Sequence, residues 1–129
     1  MLISFDGFTM TDGSPIYIQI IHHIKHGIVA GTVNNGDELP SRRVLSALLG
    51  VNPNTVQKAY RMLEDEGLIV SHSGAKSFMS VDEHKILAIR TELLREEIGG
   101  LIYAMHRMGV AKEEVIELIN EYWTEVDEN

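Results

Sequence analysis

Apolar residues recur at helical spacing in the first half of the chain, in three segments separated by glycine and proline. The first segment begins near Ser14-Pro15, which suit a helix start, and ends near Gly31. Its apolar stripe, at steps of three and four residues, consists of Tyr17, Ile20, Ile21, Ile24 and Ile28. This pattern predicts an amphipathic helix. Residues 1–14 show no sustained periodicity, and we expect them to form a loose N-terminal arm.

Two shorter helical patterns follow, and a single glycine separates them. The second helix should begin at Pro40-Ser41 and end at Gly50, with Val44, Leu45, Leu48 and Leu49 on its inner face. Asn52 is a favourable N-cap for a third helix over 53–66. Offsets of three, four and seven residues predict its buried face as Val56, Ala59, Tyr60 and Leu63. Two helices joined by so short a turn predict a helix-turn-helix.

The chain after the third helix predicts a β-hairpin and then two more helices. Residues 68–72 and 77–81 alternate like strands around a turn that contains Gly74, as in the wing of a winged helix. The next pattern predicts a long helix over 83–108, with the Gly99-Gly100 pair marking a kink or a close helix contact. Its seam is Leu87, Leu94, Ile98, Leu101, Met105 and Met108, and the stripe of the last helix is Val115, Ile119, Tyr122 and Val126.

The predicted fold class is therefore mostly α with a small β-hairpin. We expect a winged helix-turn-helix over residues 1–81 and a two-helix dimerisation tail over residues 82–129. The length of 129 residues is one domain's worth plus a small accessory element. There is no cysteine, no run of ~20 apolar residues and no secretory signal pattern, so we expect a cytoplasmic protein without a membrane partner.

The net charge of −8 at first argues against a nucleic-acid partner, but its distribution removes the objection. Residues 1–81 hold six Lys and Arg against seven Asp and Glu, whereas residues 82–129 hold five against twelve. Between Leu39 and Leu63 the chain has four cations and no acid. A locally basic face with a distant acidic tail is compatible with phosphate binding.

The exposed face of the third helix has the donors that read DNA. Asn and Gln bind adenine edges, Arg binds guanine, and Lys binds guanine or phosphate. On this helix the residues concerned are Asn54, Gln57, Lys58 and Arg61. Arg42 and Arg43 open the second helix, where guanidinium groups and helix amides together suit phosphates. A plain solvated face is the alternative interpretation of each residue taken singly.

The helix-turn-helix segment and the tail of this sequence resemble a known family. The segment LPSRRVLSALLGVNPNTVQKAYRMLEDEGLI resembles the DNA-binding domain of GntR-family bacterial transcriptional regulators, and VNPNTVQKAY with a short helical tail resembles the YtrA subfamily in particular. The resemblance implies a homodimer that binds a palindromic operator in double-stranded DNA and represses its own operon, often one for a transporter. It also implies DNA contacts, matched position by position, at Ser41, Arg43, Asn54, Thr55, Gln57 and Lys58 and in the wing around Gly74.

Two positions depart from the family pattern. Arg42 stands where the family often has glutamate, which adds a cation near the DNA backbone. The wing reads Gly-Ala-Lys-Ser-Phe-Met and lacks the family's second glycine, so Lys76 would supply the basic residue from a shifted place. We expect Arg42, Arg43, Arg61 and Lys76 to hold the DNA backbone and Asn54, Thr55, Gln57 and Lys58 to read bases.

The tail and the histidines permit further hypotheses. Two copies of the tail packing across a two-fold axis would bury more of Leu94, Ile98, Leu101, Tyr122 and Trp123 than one hairpin does. His22 and His26 have the i, i+4 spacing of paired metal ligands, so a metal-responsive regulator is one alternative, with a third ligand from His84, His106 or a glutamate. A winged helix that binds protein is another. No cofactor motif or catalytic constellation is visible, and we expect neither a cofactor nor an enzyme.

Overall fold

The computed structural model describes residues 1–72 and 76–128, which form five helices and one small antiparallel sheet. This confirms the predicted fold class. The helices are α1 (Ile16–Ala30), α2 (Arg42–Leu49), α3 (Pro53–Asp65), α4 (Glu83–Arg107) and α5 (Lys112–Glu128). The strands are β1 (Glu38–Leu39), β2 (Ile69–His72) and β3 (Lys76–Met79), in the order β1-β3-β2. The predicted wing turn at Gly74 lies outside the described residues.

The chain forms two compact units, Met1–Arg90 and Thr91–Asn129. The boundary lies within α4 and not at residue 82, because the first turns of this helix pack on the winged helix. Lys85 Nζ donates hydrogen bonds to the carbonyls of Gly67 and Ser80 at 2.7 and 3.0 Å. The side chain of Ile89 is buried. The start of α4 therefore closes the base of the β2-β3 hairpin.

Helix α1 carries the main apolar face of the first unit, with Ile20, Ile21, Ile24 and Ile28 buried as predicted. It begins at Ile16, one residue after the predicted Ser14-Pro15, with Pro15 at the N-cap position and no side-chain cap. At its end, the amides of Thr32 and Val33 both bond to the Gly27 carbonyl. A Cβ on Gly27 would lie 2.5 Å from Val33 Cγ2, so this tight exit requires glycine.

The two helices of the helix-turn-helix are bounded by local chemistry. Ser41 Oγ accepts a hydrogen bond from the Val44 amide at 3.1 Å and caps α2. Gly50 ends α2 in the left-handed region, with φ of 69°. The side chain of Asn52 then accepts from the Asn54 amide at 2.8 Å and caps α3, as expected.

The prediction of the inner face of α2 was wrong at two positions. Val44 and Leu48 are 58% and 64% exposed, whereas Leu45 is fully buried and Leu49 is half-buried. An eight-residue helix that packs on α3 buries only one narrow stripe, which here passes through Leu45. The pair Val44 and Leu48 lies one residue, about 100°, away from that stripe.

The first residues of the chain are held in place, so the prediction of a loose arm was also wrong. Leu2 forms a parallel bridge with Glu38, and the Glu38 amide and carbonyl bond to Met1 and Ile3 at 2.8 Å. The side chains of Ile3 and Phe5 are buried. Their neighbours Leu2, Ser4 and Asp6 are exposed, as expected when alternate residues of an extended segment lie on one buried face.

The sheet has one strand more than the predicted hairpin. The two-residue strand β1 pairs with β3, opposite the side on which β2 pairs. In register, Glu38 lies opposite Phe78, and Phe78 lies opposite Val70. A two-residue strand has no periodicity to detect, so the sequence did not indicate β1.

The second unit consists of the rest of α4 and α5, joined by a short turn at Gly109. Helix α4 runs through the Gly99-Gly100 pair, and nothing in the described chain lies within 4 Å of a Cβ placed on either glycine. An apolar groove of 390 Å³ lies between the two helices of this unit and is lined by residues that include Ile98, Leu101, Ile102, Met105, Val115 and Ile119. Within the described residues, no helix is long and apolar enough to cross a membrane.

Candidate nucleic-acid interface

Helix α3 is fixed by its buried face, which is the predicted one. Val56, Ala59, Tyr60 and Leu63 are all 1% exposed or less. The Tyr60 hydroxyl donates a 2.6 Å hydrogen bond to the Pro40 carbonyl, which ties α3 to the segment that enters α2. Burial raises the pKa of Tyr60 well above its usual value near 10, and the nearby Arg42 guanidinium opposes this rise only in part. Tyr60 is therefore a neutral hydrogen-bond donor at physiological pH.

The opposite face of α3 presents the polar side chains that the sequence analysis selected. Asn54, Lys58 and Arg61 are exposed, and Thr55 and Gln57 are half-buried at the edges of the same face. The backbone amide of Asn54 donates to the Asn52 side chain in the cap, whereas the side chain of Asn54 is exposed. This face offers amide, hydroxyl, ammonium and guanidinium groups on one helix, which is the set that major-groove edges can pair with.

The start of α2 adds Ser41, Arg42 and Arg43 to this basic region. The Ser41 hydroxyl is used in the cap, and Arg43 is exposed. Arg42 is half-buried, with its guanidinium carbon 5.4 Å from the centre of the Tyr60 ring. Arg42 Nε is buried and has no hydrogen-bond partner among the described residues. The guanidinium is thus held beside the helix start by an aromatic ring rather than by a carboxylate.

Two of the three acidic residues that follow Leu63 at the carboxyl end of α3 are engaged elsewhere. Glu64 accepts a 2.7 Å hydrogen bond from Ser71 of β2. Glu66 pairs at 2.9 Å with Lys25, whose side chain is only 7% exposed. These contacts hold two carboxylates at the carboxyl end of α3, and the part of α3 before Leu63 carries cations but no acidic residue.

Helix α1 also contributes to this surface, through a residue that the sequence analysis did not select. The Lys58 ammonium lies 4.0 Å from the centre of the Tyr17 ring. Tyr17 was assigned only to the apolar stripe of α1, and it is half-buried. No local sequence signal links Tyr17 with Lys58, because they are 41 positions apart.

The wing is basic where it can be described. Lys76 is exposed in β3 and lies opposite His72 of β2 in the register of the hairpin. The His72 ring makes an edge contact with Phe78, at 5.2 Å between centres. Gly74, which the resemblance placed in the wing contact, lies outside the described residues.

Comparison with known proteins decides the family. The sequence pattern of the bacterial regulatory proteins of the gntR family matches residues 16–78. The HTH-type transcriptional repressor YtrA of Bacillus subtilis is 37% identical over 114 residues, which are 88% of this chain and 88% of YtrA. The chain belongs to the GntR family. It is accordingly a DNA-binding transcriptional regulator with a winged helix-turn-helix, as the sequence analysis predicted.

Two solved structures extend the likeness of this GntR regulator to the fold. A GntR family transcriptional regulator from Listeria monocytogenes has a TM-score of 0.76 and 34% identity, covering 87% of this chain and 98% of that one. YtrA from Sulfolobus acidocaldarius, a GntR-family transcription factor, has a TM-score of 0.55 and 35% identity, covering 74% and 99%. The resemblance to the YtrA subfamily is thereby confirmed.

The histidines of α1 do not form a complete metal site. The rings of His22 and His26 are neighbours, with centres 6.1 Å apart. His23 is used otherwise, since its Nε2 lies 2.9 Å from the Ser4 carbonyl and its ring stacks on Phe5. Within residues 1–72 and 76–128, no three His, Cys, Asp or Glu side chains gather as metal ligands. The third ligand of the metal-sensing hypothesis is therefore missing from the described chain.

Proposed function

We propose that this GntR regulator acts as a homodimeric repressor that binds a palindromic operator and blocks transcription from its own promoter. The observation that carries the proposal is the acid-free basic surface from Ser41 to Arg61, mounted on two capped helices. In this proposal Asn54, Thr55, Gln57 and Lys58 read bases, and Arg42, Arg43, Arg61 and Lys76 hold phosphates. The repressor role is supported by the name of the related YtrA protein.

The second unit supports the proposed dimer, because a single copy leaves many of its apolar side chains exposed to water. Helix α5 contains no buried residue in the described chain, and Tyr122 and Trp123 are 63% and 68% exposed. Leu94, Ile98 and Leu101 of α4 are between 39% and 51% exposed. Soluble monomers rarely expose apolar patches of this extent, and a second copy offers the same chemistry across a two-fold axis. In the tail predicted over residues 82–129, the dimerisation surface would then lie in the second unit, Thr91–Asn129.

A two-fold dimer has a direct consequence for the operator. It presents two copies of α3, so the DNA site should have two inverted half-sites whose spacing the dimer sets. A promoter overlapping such a site would be closed to polymerase by steric exclusion. We further propose that the regulated operon is the protein's own, as the family resemblance implies, with a transporter among its products.

DNA binding by named residues is tested by fluorescence anisotropy with a labelled duplex from the region upstream of the protein's own gene. Arg43→Ala should weaken binding to every sequence and reduce the salt slope by about one. Lys58→Ala should weaken binding to the operator by about 1–3 kcal/mol. Arg95→Ala is the matched control, since this exposed arginine of α4 is not among the residues assigned to DNA binding.

The same titrations also test the alternative of a winged helix that binds protein. Phosphate contacts make affinity fall steeply between low and moderate salt, on specific and non-specific duplex alike. Retention of full operator affinity by both Arg43→Ala and Lys58→Ala would contradict the assignment of this face. Absence of salt-dependent binding by the unaltered protein would contradict the proposed function itself.

A further inference from the structure

The contact between Tyr17 of α1 and Lys58 of α3 joins a half-buried aromatic ring to a cation on the proposed DNA-binding face. The ammonium lies 4.0 Å from the ring centre, well within the range of about 6 Å at which a ring attracts a cation. Lys58 is exposed, and its four-carbon side chain would otherwise sample many rotamers. The Tyr17 ring therefore restricts the rotamers of the Lys58 side chain before DNA binds.

The register between α1 and α3 makes this contact a fixed feature of the two helices. A second contact, between Lys25 and Glu66, joins residues 41 positions apart in sequence. Tyr17 and Lys58 have the same separation, so equal lengths of α1 and α3 lie between the two contacts. Both contacts therefore follow the same register of α3 against α1. Isoleucines buried between them, Ile20 and Ile24, fill the interval.

The geometry points to Tyr17 as a positioning residue for DNA recognition, which holds the Lys58 ammonium in place for the major groove. This inference rests on the proposed function of α3. An ammonium has three N–H donors, and an aromatic face engages it from one side, so donors remain for a base edge or phosphate. Ordering Lys58 before binding lowers the entropy that is lost on binding, which is how a residue that need not touch DNA raises affinity.

The test is a double-mutant cycle between Tyr17→Leu and Lys58→Ala, with Tyr17→Phe as the conservative variant. The probe is the labelled duplex from the region upstream of the protein's own gene. We expect Tyr17→Leu to weaken binding by about two- to fivefold in the unaltered background. It should have no further effect in the Lys58→Ala background. Tyr17→Phe keeps the ring face and should bind like the unaltered protein.

Each other result overturns the inference in a recognisable way. An equal loss from Tyr17→Leu in both backgrounds would show a merely structural role. An equal loss from Tyr17→Phe and Tyr17→Leu would show that the hydroxyl acts directly. No loss from Tyr17→Leu, while the unaltered protein binds, would remove the inference and leave the proposed function standing. No salt-dependent binding by the unaltered protein would remove both.

A second measurement needs neither DNA nor a folded Tyr17→Leu variant. In the free protein, the ring current of Tyr17 should shift the ε-methylene protons of Lys58 upfield from those of Lys112, an exposed lysine of α5. Tyr17→Phe should keep this shift. Lys58 protons at the same position as those of Lys112 in the unaltered protein would overturn the contact, and the inference with it.

Discussion

The Tyr60 hydroxyl donates a 2.6 Å hydrogen bond to the Pro40 carbonyl, and this bond joins α3 to the entry of α2. Both residues are buried. Tyr60→Phe would leave a buried carbonyl without its donor, so we expect the free energy of unfolding to fall by about 1–2 kcal/mol. Urea denaturation measures this change. Tyr103→Phe, at an exposed tyrosine of α4, is the matched control and should be neutral.

Because Tyr60 is buried, we expect the free energy of unfolding to fall at alkaline pH. Burial raises the folded-state pKa of Tyr60 above its unfolded value near 10, so the folded state holds the phenolic proton more tightly. Its contribution is fully present below about pH 10 and is lost as pH rises beyond that value. Tyr60→Phe should therefore show a weaker decline in stability above pH 10 than the unaltered protein. Equal declines would contradict this origin.

The Lys25-Glu66 pair should respond unequally to removal of its two members. Glu66→Gln leaves the buried Lys25 ammonium with one anionic partner fewer, which should lower the free energy of unfolding by about 1 kcal/mol, since Glu66 is 42% exposed and partly screened. Lys25→Met removes the buried charge itself and should lower the free energy of unfolding by less than Glu66→Gln does. Asp65→Asn, at an exposed neighbour, is the control for both in urea denaturation. A larger loss from Lys25→Met would mean that its other contacts dominate.

The proposed dimer predicts a shift in oligomeric state from one substitution on α5. Trp123→Glu places a charge on an aromatic residue that is 68% exposed in a single copy. Buried aromatic residues often contribute 2 kcal/mol or more to an interface, so the dimer dissociation constant should rise by at least about tenfold. Sedimentation velocity over a concentration series measures this. Val44→Glu, at a comparably exposed apolar residue of α2, should leave the oligomeric state unchanged.

The glycines of α1 and α4 should respond to alanine with opposite signs. Gly99→Ala meets open space in the described chain and should raise helix stability by up to about 1 kcal/mol. Gly27→Ala would press on Val33 and should lower stability by about 1–3 kcal/mol. Thermal unfolding compares the two. Destabilisation by Gly99→Ala at concentrations where the protein is a dimer would indicate that a second chain packs closely there.

Features that depend on local sequence were predictable, and features that depend on long-range pairing were not. The cap at Asn52 and the buried face through Val56 and Leu63 follow from signals within a few residues. The burial of Ile3 and the strand at Glu38 depend on partners elsewhere in the chain, which no local pattern specifies. Val44 and Leu48 show the converse error, since apolar residues at helical spacing need a neighbour in order to be buried.

The residues of the candidate interface also divide into those that local sequence indicates and those that depend on long-range packing. Its polar residues on α3 could be selected because a helix places residues that are three and four apart on one face. Whether they contact DNA stays a prediction. The Tyr17 ring beneath Lys58 could not be foreseen, because it depends on how α1 lies against α3.

The bridge between Leu2 and Glu38 also covers one edge of the sheet, where another chain could otherwise pair with β1. Strand β1 is one of the two outer strands of the sheet, and the Glu38 amide donates to the Met1 carbonyl while the Glu38 carbonyl accepts from the Ile3 amide. An uncovered strand edge is a template for pairing with another chain and for aggregation. The first residues of the chain thus cover the β1 edge of the sheet, so this edge has no free backbone groups at Glu38 for pairing with another chain.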